Sequence, residues 1–149
     1  MKNLLTLFVL FLGLGMANAQ NLSFDETVNY INKILEENSD LNINWFAYGS
    51  NKGDLADGII AEKNGKITFY SKFSNSYTRS EDTKTPTGSF NVFIFDKLNE
   101  KDTYVELLDK NNKLIGSLYS FPPSYISKME KALKHLRTLC IKEKDPFED

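Results

Sequence analysis

Two side chains in this sequence are each the only one of a type suited to nucleophilic or acid–base chemistry, and they lie close together. They are His135, the one histidine, and Cys140, the one cysteine. A thiol beside an imidazole is the pairing that activates a cysteine nucleophile. The spacing works against it here. Both fall in a segment whose apolar residues, Ile126, Met129, Leu133, Leu136 and Cys140, recur at intervals of three and four, the mark of one helix face. Five residues along a helix turn through about 140°, so the two cannot form a local pair. Taken alone, His135 is a general base or metal ligand, or a helix-surface residue with its ring edge on a sheet. No second histidine stands at ligand spacing, which favours the surface role. Cys140 is a nucleophile, half of an interchain disulfide, or a small buried apolar residue, and its place in the stripe favours burial.

Other polar groups are more scattered. Asn51, Asp54 and Asp57 offer oxygen ligands for calcium, but not at the spacing of a calcium loop. Arg79, Glu81, Asp82 and Lys84 sit in a polar run, Ser74–Ser89, that reads as a long mobile loop. No G-x-S-x-G, Gly-rich phosphate loop or paired-carboxylate motif is present. No catalytic, cofactor-binding or metal-ligating residue is therefore assigned, and no cofactor is expected.

The elements around these groups follow from pattern. Ser23-Phe24-Asp25-Glu26 is a capping box that opens a helix to about Asn38, with Phe24, Val28, Ile31 and Leu35 on one face. Leu41, Ile43, Trp45 and Ala47 alternate as a strand, and Gly49 to Asp54 reads as a turn. Gly58–Glu62 and Lys66–Tyr70 flank Asn64-Gly65, which predicts a hairpin with a type I′ turn. Phe90–Asp96 (FNVFIFD) is apolar on both faces and predicts a central strand. Tyr104–Leu108 and Leu114–Phe121 form a second hairpin about Lys110–Lys113. A last helix starts at Ser124, or at Ser127 where Ser127-Lys128-Met129-Glu130 is a second capping box, and runs to about Lys142. Asp145-Pro146 ends it.

Met1–Ala19 is a different kind of segment. Lys2, an apolar stretch from Leu4 to Met16, and Ala17 and Ala19 make a secretory signal peptide with an A-x-A site, cleaved before Gln20. The apolar stretch is shorter than the about 20 residues of a spanning helix. Residues 20–149 are then one globular domain, large enough to bury roughly two-thirds of its unfolded surface. Aromatic residues make up 13% of the chain, which argues against disorder. The formal net charge is −2 and gives no global reason to bind nucleic acid. One cysteine allows no internal disulfide, and none stands at the cleavage site for a lipid anchor. The expected product is exported to the periplasm or exterior, soluble and without an integral membrane segment. Asn21-Leu22-Ser23 matches a glycosylation acceptor, which matters only in a eukaryotic secretory path.

Charge is uneven along the domain. The last helix carries Lys128, Lys131, Lys134, Arg137 and Lys142 against Glu130. The first carries Asp25, Glu26, Glu36 and Glu37 against Lys33, and Glu143, Asp145, Glu148 and Asp149 follow at the end. Mutual neutralisation accounts for both, and a basic amphipathic helix is also a surface for anionic membranes.

The segment Lys131–Cys140 (KALKHLRTLC), followed by Lys144-Asp145-Pro146-Phe147, resembles the C-terminal signature of small exported bacterial proteins that carry no established activity. Phe24–Asn32 (FDETVNYIN) is similar to their opening. The resemblance covers the two ends only. It implies that both helices belong to one module and that the closing motif is structural, and it transfers no catalytic residue. A sheet followed by one amphipathic helix is also similar to the pleckstrin-homology-like barrel, an analogy of fold that does not fix function.

The fold expected is α+β. A bent antiparallel sheet of about six strands, possible as a partial barrel, packs on the last helix, with the first helix on another side. Met129, Leu133, Leu136 and Cys140 should face Trp45, Ile67, Phe69, Val92 and Ile94. The function expected is a non-enzymatic binding or interaction module with an unknown protein or small-molecule partner. Ser74–Ser89 would be its contact surface, removable without loss of the fold; the oligomeric state stays open. Two alternatives stand beside it: a small hydrolase with a dispersed carboxylate site, and peripheral membrane binding through the basic helix.

Overall fold

A computed structural model describes residues 22–38, 42–45, 50–72 and 84–142, without the side chains of 42–45 and 50–55. The expected signal peptide and cleavage site, Asn21, Arg79, Glu81, Asp82 and the acidic tail lie outside the described residues.

The chain opens with α1 (Phe24–Glu36). Ser23 caps it as the sequence predicts: its hydroxyl accepts the Glu26 N–H, and the Glu26 carboxylate accepts the Ser23 N–H at 2.8 Å. Ile31 and Leu35 of the expected stripe are buried, joined by Ile34 and Thr27. Eight strands follow among the described residues: β1 (Asn42–Trp45), β2 (Ser50–Leu55), β3 (Gly58–Ala61), β4 (Lys66–Ser71), β5 (Thr85–Asn91), β6 (Phe95–Glu100), β7 (Tyr104–Asp109) and β8 (Leu114–Tyr119). Then comes α2 (Pro123–Leu139). All pairings are antiparallel, and the strands divide into a five-stranded sheet, order β2-β1-β8-β7-β6, and a three-stranded sheet, order β3-β4-β5. The α+β architecture is the one the sequence implies, with a helix before the strands and a helix after them in the chain, and the two helices pack against each other.

Two departures account for the larger number of strands. Ser50–Leu55 is a strand rather than a turn, because it pairs with β1, and pairing overrides the turn preferences of its Gly and Asn. The FNVFIFD run is not one central strand. It bends between β5 and β6, where the Asn91 side chain accepts the Phe93 N–H at 2.9 Å and Ile94 N–H bonds back to Asn91 O at 3.1 Å. The corner carries the chain from the small sheet to the large one. Val92 and Phe95 enter the core on either side of it, which made both faces of the run apolar. Ile94 points outward and is 50% exposed, so it does not face the last helix as expected.

Both hairpins form, with one turn design. In each, a tight turn ends on a residue at positive φ. Gly65 (φ +91°) closes Glu62–Gly65, with its N–H on Glu62 O at 2.9 Å. Asn112 (φ 59°) closes Asp109–Asn112 the same way, also at 2.9 Å. Asn64 is not at positive φ, so the first is a three-residue loop with a glycine bulge rather than the type I′ turn. Glycine is required at 65 for a second reason: a Cβ there would lie 2.7 Å from the Phe93 ring.

One core joins both sheets and both helices. Ile31 and Leu35 of α1, Ile59, Ile67 and Phe69 of the small sheet, Leu107 and Leu118 of the large one, and Met129, Leu133 and Leu136 of α2 are all buried in it. The second capping box does not cap. α2 starts earlier, after Pro122, without a side-chain cap, and stops at Leu139. Glu130 sits inside the helix and does other work. Its Oε2 accepts the Leu98 N–H on the outer edge of β6 at 2.9 Å. One side of the helix further along, Arg137 donates to Phe95 O on the same strand at 2.8 Å. On the other sheet Asn32 of α1 takes the Ile59 N–H of β3 at 2.6 Å. Helix side chains thus satisfy edge groups that a further strand would otherwise take.

Candidate functional site

Alternation along β3, β4 and β5 sends Ile59, Ile67, Phe69 and Phe90 into the core and leaves the intervening residues on an outer face. Register arranges that face in rows. Gly58, Tyr70 and Pro86 form one row; Ile60, Thr68 and Ser89 form the next; Lys66 and Asn91 form a third. β5 carries a bulge here, because Phe69 pairs with Gly88 and Tyr70 with Pro86, leaving Thr87 unmatched.

Ile60 stands 45% exposed in the middle row. On one side lies a groove of about 490 Å³, lined by Glu62, Lys66, Thr68 and Pro86–Ser89. On the other lies a groove of about 320 Å³ against α1, with Phe24, Val28 and Ala61 as its apolar floor and Asp25, Asn29 and Lys84 as polar walls. Ile60 lines both. Thr87 Oγ1 is buried beside the larger groove without a hydrogen-bond partner among the described residues, and a buried hydroxyl in that state carries a cost. The Lys84 ammonium lies 4.7 Å over the Tyr70 ring, and Lys63 lies 5.9 Å over Phe24. Glu62 and Lys66 pair at 3.7 Å, both half exposed, an arrangement that adds little stability and leaves both charges open to a partner.

This face takes in one end of the polar run that the sequence singles out. Thr85–Ser89 is not loop but most of β5, and Lys84 precedes it. Ile60 and the α1 wall were not foreseen. Their signal was weak: an isoleucine that breaks the apolar–polar alternation of its strand, and two asparagines, Asn29 and Asn32, beside an apolar helix stripe.

The remaining candidates lie elsewhere. His135 Nε2 is 2.8 Å from Leu22 O, so the ring holds the chain just before α1. Cys140 is part-buried at the end of α2, with Sγ 3.9 Å from Glu62 O. Burial pushes its thiol up, an effect the Gly65 backbone partly offsets, so the site does not favour a thiolate. Asp57 accepts the Lys72 N–H at 2.5 Å; the side chains of Asn51 and Asp54 lie outside those described. Three cations of α2 have partners within the fold: Lys134 on Glu130 at 2.8 Å, Arg137 on Phe95 O, and Lys128 over the Tyr125 ring at 5.0 Å. The acids of α1 are met by Lys72 (Glu36, 2.7 Å) and Lys33 (Glu37, 3.9 Å), and no ion pair joins the two helices among the described residues. Two carboxyls are held below their ordinary value, and neither lines a groove. Hydrogen bonds from Ser23 do this at Glu26. At Glu130, burial raises the pKa, but Lys134, the Leu98 N–H and Lys97 outweigh it.

No family model matches the chain, and no curated protein does. Among solved structures the chain is similar to the PH domain from PfAPH, with a TM-score of 0.45 and 15% identity, over 83% of this chain and 96% of that one. It is also similar to the PH domain from TgAPH, with a TM-score of 0.41 and 10% identity, over 81% and 93%. No described helix is long and apolar enough to cross a membrane.

Proposed function

We propose that the protein is an exported, non-enzymatic binding module whose contact surface is the outer face of β3-β4-β5 and its border with α1. Ile60 carries this reading: a large apolar side chain stands in the open between two grooves whose walls offer an ammonium, a carboxylate, hydroxyls and amides. An apolar anchor within a polar rim is the general form of a recognition surface. Deleting Ser74–Ser89 would remove most of β5, so substitutions are the better test. Ile60→Asp and Lys84→Glu should melt like wild type and lose capture of the partner from a cell-envelope extract. Ile94→Ser, at an equally exposed site, should retain it. Capture by all three variants alike would overturn the reading.

Export rests on Met1–Ala19. N-terminal sequencing of the protein recovered from its producing cells should begin at Gln20. A chain that keeps Met1 would overturn it.

A further inference from the structure

The turn Glu62–Gly65 does more than join β3 to β4. Lys63 O accepts the Ile141 N–H at 2.7 Å, Gly65 O accepts the Val92 N–H at 2.8 Å, and Glu62 O faces Cys140 Sγ. The end of α2 and the β5–β6 corner are both fastened to these four residues. Within them Asn64 precedes Gly65, the one Asn-Gly step in the chain. Asn64 is exposed, and its Oδ1 accepts the Lys66 N–H at 3.0 Å, which lays the side chain along the backbone toward the residue that follows. Gly65 has no Cβ to bar its nitrogen from the Asn64 carboxamide.

The geometry points to Asn64 as a site of spontaneous covalent modification, passing through a cyclic imide to isoaspartate. The Gly65 backbone nitrogen attacks Asn64 Cγ. The N–Cγ bond forms, the Cγ–Nδ2 bond breaks, and Nδ2 leaves as ammonia with the proton of the Gly65 amide. Water then opens the ring. Addition at the former main-chain carbonyl of Asn64 gives isoaspartate, and addition at Cγ gives aspartate; nothing is oxidised or reduced. The Gly65 N–H is donated to Glu62 O at 2.9 Å and the Asn64 Nδ2 to Glu62 Oε2 at 3.3 Å, so attack follows a local opening of the turn, in which Glu62, Lys63 and Asn64 are exposed and Gly65 is buried. Isoaspartate adds a carbon to the main chain, which takes the carbonyls of Glu62, Lys63 and Gly65 out of register with α2 and the corner.

The chain carries its own control. Asn111 occupies the matching position of the β7–β8 turn, but the residue after it, Asn112, has a Cβ. Folded protein is incubated in mildly alkaline buffer, labelled with an isoaspartyl methyltransferase and mapped by peptide mass. Label should accumulate at Asn64 ahead of Asn111 and be absent from that peptide in Asn64→Gln. Hydrogen exchange at the Ile141 and Val92 amides should rise in the isoaspartyl fraction alone. Conversion at Asn111 first, or a folded chain as inert as Asn64→Gln, would overturn the assignment. Unchanged protection of Ile141 and Val92 after conversion would overturn its structural consequence.

Discussion

The Tyr70 ring lies across Gly58, its partner on the neighbouring strand, and occupies the space where a side chain at position 58 would stand. A Cβ on residue 58 would come within 2.5 Å of Tyr70 Cζ and 3.0 Å of Asn32 Oδ1. The glycine therefore lets an aromatic ring close one end of the outer face, where Tyr70 is buried and the Lys84 ammonium lies over its ring.

Gly58→Ala should cost about 1–3 kcal/mol, the usual penalty of overpacking, because Tyr70 and Asn32 must both give way. Chemical denaturation reads it directly. Pairing the change with Tyr70→Leu should restore part of the loss, and an unchanged midpoint for Gly58→Ala alone would show that the ring moves freely.

Asn32→Ala removes the acceptor for the Ile59 N–H in a part-buried setting. The expected loss is about 1–3 kcal/mol. Asn32→Asp keeps an acceptor and should lose less. The Ile59 amide should exchange faster in the alanine variant than in wild type; equal protection would mean that another group serves it.

Leu136 is fully buried at the centre of the α2 face. Leu136→Asp should unfold the domain, since it places an unpaired charge in the core. Leu136→Ala should remain folded at a cost of about 2–5 kcal/mol. A wild-type melting curve for the aspartate variant would contradict the placement of the helix.

Glu130 gives the acid limb of stability a definite sign. Its folded pKa is below its ordinary value, so the native state binds fewer protons there than the unfolded chain. The contribution is present above the ordinary carboxylate range and fades as pH falls through that range toward the lower folded value. Glu130→Gln should flatten the stability–pH curve over that interval. Two curves that stay parallel there would show that Glu130 does not set the slope.

The helices were legible in the sequence because their signals are local. Ser23 and Glu26 are three residues apart, and the stripe from Met129 to Leu136 repeats within three turns. The hairpins were legible for the same reason, though the type of the first turn was not: of Asn64 and Gly65 only Gly65 is at positive φ, a choice the Asn-Gly pair does not reveal. What escaped depended on partners far along the chain. Ser50–Leu55 becomes a strand only because β1 pairs with it. The FNVFIFD run divides because two sheets compete for its ends. Glu130 carries the signature of a helix cap and acts on β6 instead, 32 residues away. Ile60 has the composition of a core residue, and only the register of the small sheet turns it outward.

Guarding a sheet edge with Asn32, Glu130 and Arg137 has a bearing on handling at high concentration. An open strand recruits strands from other molecules, and the usual safeguards are prolines, bulges or charges spread along its length. β5 follows that practice with Pro86 and its bulge. β3 and β6 instead rest on one or two helix side chains each. Their resistance to intermolecular pairing is concentrated in a few residues, so a single substitution at one of these positions, besides costing stability, opens a strand edge to other molecules.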